Sequence, residues 1–265
     1  MQLPIYQADA FTSRLFSGNP AALVPLQQWL ADDVLQAIAA ENNLAETAFT
    51  VPSGRGFELR WFTPAAEVPL CGHATLASAH LLWTELGCLE DEIRFFTRSG
   101  ELRVRREGEL IAMDFPALQS QPVEITDEIV GAAGCKPVRA ASEEQEGGKL
   151  LLEFSTPADV AQLAPDLRRV AALPYQGIAC TATGEGFDCD FVSRFFAPAV
   201  GIDEDPVTGS AHSLLAPYWA ARLDRPRLRA RQISARGGEL ECELREGRVF
   251  MRGAAVTYLR GHISL

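Results

Sequence analysis

RWFTPA (60–65) and RFFAPA (194–199) are two versions of one phrase, and each is followed by a second match. CGHATLASAHLLW (71–83) answers to TGSAHSLLAPYWA (208–220). The first pair is offset by 134 residues and the second by 137, a difference that three extra residues in one connection would explain. In each half an apolar, strand-like run meets a Pro-containing turn. An acidic loop follows (Glu67, or Asp203 to Asp205), and a Gly then opens a helical segment. A repeat of about half the chain is too long for a solenoid of short units. It predicts two similar domains facing each other across a cleft. Pro116 and Pro122 bracket a polar stretch between the halves, so the expected division is 1–117 and 118–265. The loop-like tract SEEQEGG (142–148) falls inside the second half, as an exposed insertion or hairpin.

The local pattern is mixed. Apolar and polar residues alternate in ELRVRRE (101–107), LIAMDF (110–115), LRARQIS (228–234) and RVFMRGAAV (248–256), as in half-buried strands. Helical periodicity marks 27–42, 74–86 and 211–223. The last two segments are apolar nearly all round, which predicts helices enclosed by curled sheet. Pro217 should bend the second of them. Strands outnumber helices and do not alternate with them, so the class is α+β rather than a doubly wound fold.

Composition narrows the function. A net charge of −11 argues against nucleic acid or an anionic membrane surface as the main partner. No apolar run is long and uncharged enough for a membrane span, and the first residues lack the pattern of a signal peptide. The six cysteines form no C-x-x-C pair and read as reduced thiols of a cytoplasmic protein. GEGFDC (184–189) lacks the third Gly of a dinucleotide fingerprint, and there is no Walker loop or G-x-S-x-G elbow. No cofactor is implied.

The chemistry-bearing residues gather at the repeated helix starts, Gly72-His73 and Gly209-Ser210. Free N–H groups and the dipole make a helix start a site for negative charge. Taken singly, each reads as a tight turn with Ser as an N-cap; their duplication favours an anion site. Glu46, at the mouth of the strand AETAFTV (45–51), is either an exposed carboxylate or a general base in a partly apolar cleft. Asp205 is a further candidate. His73 and His80 lie seven apart on one helical face, but no acidic partner stands at ligand spacing, and metal is set aside. Cys71 would sit at a helix start, where a thiolate is favoured. Its counterpart is Thr208, so a pair of opposed thiols is not available. The Arg222–Arg231 cluster alternates with apolar residues from 227 onward and reads as the wet face of a strand, with phosphate binding as a secondary possibility.

GNPAALV (18–24), NLAETAF (43–49), FTPAAEVPLCGHATLASAH (62–80) and DEDPVTGSAH (203–212) together resemble the phenazine-biosynthesis PhzF-like family. The likeness extends through GGELECEL (237–244) and GRVFMRGAAVTYLRG (247–261). It implies a diaminopimelate epimerase-like fold, two curled sheets each around a central helix, with the active site between them. It also implies a cofactor-independent isomerase and a homodimer. The family's catalytic Glu falls on Glu46, and its cleft His, Asp and Ser fall on His73, Asp205 and Ser210. Gly72, Gly209, Cys71 and Thr208 would line the substrate site, and the substrate would be a small carboxylate-bearing molecule. The rival readings are an epimerase or racemase using Cys71, and a non-catalytic binding or protein-interaction module.

Overall fold

A computed structural model describes residues 1–145 and 147–265; of the 142–148 tract, position 146 lies outside the described residues. Contacts divide the chain into two units, Met1–Asp114 with Arg252–Leu265, and Phe115–Met251.

The first stretch runs β1 (Gln2–Ala10), β2 (Asn19–Pro25), α1 (Asp32–Asn42), β3 (Glu46–Ser53), β4 (Gly56–Phe62), β5 (Glu67–Val68), α2 (Gly72–Thr84), β6 (Glu92–Thr97), β7 (Gly100–Glu107) and β8 (Leu110–Pro116). There follow β9 (Ser120–Pro122), α3 (Asp127–Ala133), β10 (Arg139–Glu143), β11 (Gly147–Glu153), α4 (Pro157–Gln162), α5 (Leu167–Ala172), β12 (Tyr175–Thr183), β13 (Phe191–Ala197), β14 (Ile202–Asp205), α6 (Gly209–Leu223), β15 (Arg227–Gln232), β16 (Gly238–Arg245), β17 (Arg248–Gly253) and β18 (Ala255–Ser264).

The repeat read from the sequence is a repeat of strand pairing. In the first unit β1 is antiparallel to β2, β2 parallel to β3, and β3 antiparallel to β4; β4 then carries β5 antiparallel and β6 parallel, and β7 closes antiparallel on β6. In the second unit β10, β11, β12, β13, β14, β15 and β16 take the same seven places, joined by six pairings of the same senses. The central helix lies between the equivalent strands each time: α2 after β5, α6 after β14. The three extra residues are a 3₁₀ turn, Pro198–Val200, closed by Gly201 at φ 83°.

Both helices are apolar nearly all round and accordingly buried. Ten of the thirteen residues of α2 are buried, from His73 through Trp83, and the helix packs against β1, β2, β3 and β18. α6 packs against β15 and β16 and runs through Pro217. Proline lacks the N–H that the Ser213 carbonyl would otherwise receive. That carbonyl accepts from Leu118 N–H instead, at 2.9 Å. Behind β11, β12 and β13 the short helices α3, α4 and α5 close a separate core that includes Leu150, Leu152, Ile178 and Phe196. No helix among the described residues is long and apolar enough to cross a membrane.

The sequence reading assigns everything after 117 to the second half. By contact, residues 252–265 belong with the first unit, because β18 pairs antiparallel with β1 from Gln2↔Ser264 to Ala10↔Ala255. The helix expected over 27–42 starts only at Asp32, with Ala31 still extended at φ −61°, ψ 144°. Arg227, Arg229 and Arg231 point outward from β15 as expected, while Leu228, Ala230 and Gln232 are buried.

The repeated Arg has one job in both halves. Arg60 grips Glu67 with two hydrogen bonds of 2.8 Å, and Arg194 grips Glu204 at 2.7 and 2.9 Å. Each fork ties the strand to the acidic turn that leads into the central helix. Arg194 Nη1 also donates to the carbonyls of Val160, Ala161 and Leu163. Lysine cannot reproduce a planar fork. Arg194→Lys is therefore expected to cost about 2 kcal/mol, near the value for hydrogen bonds to charged groups, measured by denaturant unfolding. A loss below ~0.5 kcal/mol would place the fork among surface pairs of little worth.

Candidate active site

In the first unit three of the expected residues converge. α1 ends at Asn43, which is left-handed at φ 48°. The chain then turns into β3, whose first residue, Glu46, pairs with Ala21 of β2. Glu46 is 7% exposed rather than a surface carboxylate. Its Oε2 lies 2.9 Å from Nε2 of His73, itself 5% exposed. The contact is close but not aligned as a full hydrogen bond, so it acts as an electrostatic pair. His73 is the second residue of α2, after Gly72 and the extended N-cap Cys71. Cys71 Sγ is 3.5 Å from His73 Nδ1.

Burial opposes a charge on the His73 ring, while Cys71 and Glu46 beside it draw its proton affinity well above the usual histidine range. Burial, reinforced by Glu46, pushes the Cys71 thiol up to about 11. The thiolate expected from a helix start is thus not favoured: desolvation and a neighbouring carboxylate outweigh the helix end. Glu46, Cys71 and His73 each present a ligand atom within 4.8 Å of the others, a spacing that a metal ion could use. Such an ion would require Cys71 to give up its proton. His80 bonds Thr257 Oγ1 at 3.0 Å.

In the second unit Asp205, Thr208, Gly209 and Ser210 occupy the equivalent turn. Thr208 is the extended N-cap of α6, and its hydroxyl donates to Asp205 Oδ2 at 2.6 Å. Neither Cys71 nor Thr208 caps its own helix through the side chain. Ser210 is exposed one residue into the helix, where His73 of the other repeat is buried. Sequence reasoning missed two buried amides. Asn19 Nδ2 lies 3.1 Å from His73 Nδ1. Gln232 accepts from Thr208 N–H at 2.9 Å and donates to the Asp205 carbonyl at 2.7 Å. Their partners stand 54 and 24 to 27 residues away, beyond any local pattern.

His212 repeats the place of Thr75. Thr75 Oγ1 donates to the Cys71 carbonyl at 2.6 Å, and His212 Nδ1 to the Thr208 carbonyl at 2.8 Å. Fully buried, with Nε2 lacking a hydrogen-bond partner, His212 stays neutral, its pKa brought down to about 4 by desolvation. The unfolded chain takes up this proton near pH 6.5. Between those values the unfolded state binds more protons, so this contribution to stability is full above pH 6.5 and lost on descent to pH 4. The loss is about 3 kcal/mol at ~1.4 kcal/mol per unit. His212→Asn is expected to flatten the acid limb of the stability–pH curve over that window. A variant as acid-sensitive as wild type would refute the assignment.

A family model described as phenazine biosynthesis-like protein (PhzC-PhzF) matches residues 8–261. An uncharacterized isomerase of Pseudomonas aeruginosa is 51% identical across the full length of both chains. A crystal structure of a PhzF-family phenazine biosynthesis protein from Enterococcus faecalis superposes with a TM-score of 0.96 at 42% identity, covering 100% of each chain. A hydroxyproline epimerase from Agrobacterium vitis gives a TM-score of 0.63 at 11% identity over 100% of this chain and 93% of that one, a likeness of fold alone.

Proposed function

This chain belongs to the PhzC-PhzF, or phenazine biosynthesis-like, family, and from that premise we propose a cofactor-independent isomerase that moves a proton on a small carboxylate-bearing metabolite, with Glu46 as general base and acid. The observation that carries this reading is the buried Glu46 carboxylate beside the His73 ring, 2.9 Å away. A carboxylate withdrawn from water and held by one cationic or N–H partner is a poised base. It takes a proton from a C–H of the substrate, and the electron pair left behind spreads toward the substrate's own acid group. Donors aimed at that charge lower the barrier, and the start of α2, beside Glu46, offers backbone N–H groups not capped by its N-cap side chain. Glu46 then returns the proton to another carbon, regenerating itself without a co-reactant.

The same reading gives Asp205, Thr208, Gly209 and Ser210 substrate-handling roles. Its support is their matching position in the repeated topology and the matched motif. An epimerase working through a Cys71 thiolate finds less support, since burial keeps that thiol protonated up to about pH 11 and Thr208 stands where a second thiol would be needed. The test is a panel of cyclic, unsaturated and amino-acid-like acids incubated with enzyme in D2O and read by NMR. Deuterium appearing at carbon in an isomerised acid is the expected result. A panel in which only stereocentres of amino-acid-like acids invert would favour the epimerase.

A further inference from the structure

Gln232 takes no part in the mechanism above, yet it holds both ends of the turn that carries Asp205. We propose that Gln232 is a positioning residue: it fixes the entry turn of α6 from Asp205 to Thr208 and, through the Thr208 hydroxyl, the direction of the Asp205 carboxylate. Its catalytic meaning rests on the isomerase reading, in which Asp205 handles the substrate; the geometry of the turn does not.

Gln232 closes β15 and is wholly buried. Its amide spans two backbone groups of fixed polarity. Thr208 N–H, which only donates, meets one end at 2.9 Å, and the Asp205 carbonyl, which only accepts, meets the other at 2.7 Å. The amide oxygen therefore faces Thr208 and the nitrogen faces Asp205; a flipped amide would set donor against donor and acceptor against acceptor. The nitrogen also lies 3.2 Å from Thr208 Oγ1. That hydroxyl receives an N–H and keeps its own proton to give, and Asp205 Oδ2 takes it at 2.6 Å. Asp205 and Thr208 are buried as well, so a bond lost here leaves its partner withdrawn from water.

The fold does not demand this brace. Both units tie the same turn by a serine: Ser99 Oγ donates to the Pro69 carbonyl and Ser234 Oγ to the Pro206 carbonyl, each at 2.7 Å. Phe57 and Phe191 stand three residues before the repeated arginines, and their pairings with Phe95 and Ala230 put Thr97 where the second unit has Gln232. Thr97 bonds within its own hairpin, to the Gly100 carbonyl at 2.8 Å. The place of Asp205 is held in the first unit by Val68, next to Glu67 as Asp205 is next to Glu204. The carboxylate and the amide that steadies it thus occur together, at two positions where the other repeat has neither.

The experiment compares wild type with Gln232→Met, which keeps the length of the side chain and none of its bonds. By NMR of the whole protein, the Thr208 N–H should exchange with solvent about 10- to 100-fold faster in the variant. The three-bond couplings of Asp205 should pass from those of one rotamer to averaged values. With an acid that the enzyme turns over, kcat should fall about 10- to 100-fold with KM little changed. In an Asp205→Asn background the same substitution should change kcat by no more than ~2-fold, because the carboxylate it aims is gone. An Asp205 that keeps one rotamer in a folded Gln232→Met overturns the proposal, as does an equal loss of kcat in both backgrounds. Should Gln232→Met not fold, Thr208→Val goes through the rotamer and kcat measurements, with the same two overturning results. A fully active Glu46→Gln would end the isomerase reading and leave the rotamer measurement to decide this one.

Discussion

Glu46→Gln is expected to slow turnover by about 10³-fold, near the middle of the range for a positioned general base. That corresponds to roughly 4 kcal/mol of barrier. Glutamine keeps the shape of the side chain and an oxygen for the His73 Nε2–H, so the variant should fold and bind substrate with KM within a few-fold of wild type. What it lacks is a basic oxygen to take the proton. A fall in kcat with KM nearly constant is the signature of an interaction made in the transition state. A loss shared between kcat and KM, or a melting transition shifted by many degrees, would assign Glu46 a binding or structural role instead.

Gly18→Ala is expected to destabilise the protein by about 3–5 kcal/mol, combining the cost of a left-handed backbone with that of overpacking. Gly18 sits at φ 65°, and an added Cβ would lie 2.2 Å from the Ala10 carbonyl oxygen and 2.7 Å from Thr12 Cγ2. The nearer contact is backbone in the β1–β2 ladder, so relief requires moving the strand that carries Asn19. Denaturant unfolding measures the loss. A variant within ~1 kcal/mol of wild type would mean that the turn relaxes without strain.

The frame of the fold is legible in the sequence because its signals are local and repeated. RWFTPA and RFFAPA each place one arginine seven or ten residues before its glutamate, Arg60 before Glu67 and Arg194 before Glu204, and each leads to a Gly that opens a buried helix. α2 and α6 stand out as apolar runs of helical length with almost no polar face, which is what burial on several sides demands. α3, α4 and α5 are six or seven residues long, too short for periodicity to separate them from loop. The return of β18 to β1 is invisible for another reason: an alternating strand does not name its neighbour, and this one lies at the opposite end of the chain. In the site, Glu46 and His73 stand out by residue type and position. The surroundings that set their chemistry, namely Asn19 on the ring and the burial that keeps Cys71 protonated, come from strands brought together only by folding.

The most direct measurement follows hydrogen at the reacting carbon. Wild type and Glu46→Gln, each shown by circular dichroism to be folded, are given the same turned-over acid in D2O, and deuterium at carbon is counted by NMR. If Glu46 carries the proton, wild type exchanges and isomerises together, and the Gln variant does neither above a rate about 10³-fold lower. Exchange in the Gln variant at the wild-type rate would contradict the account.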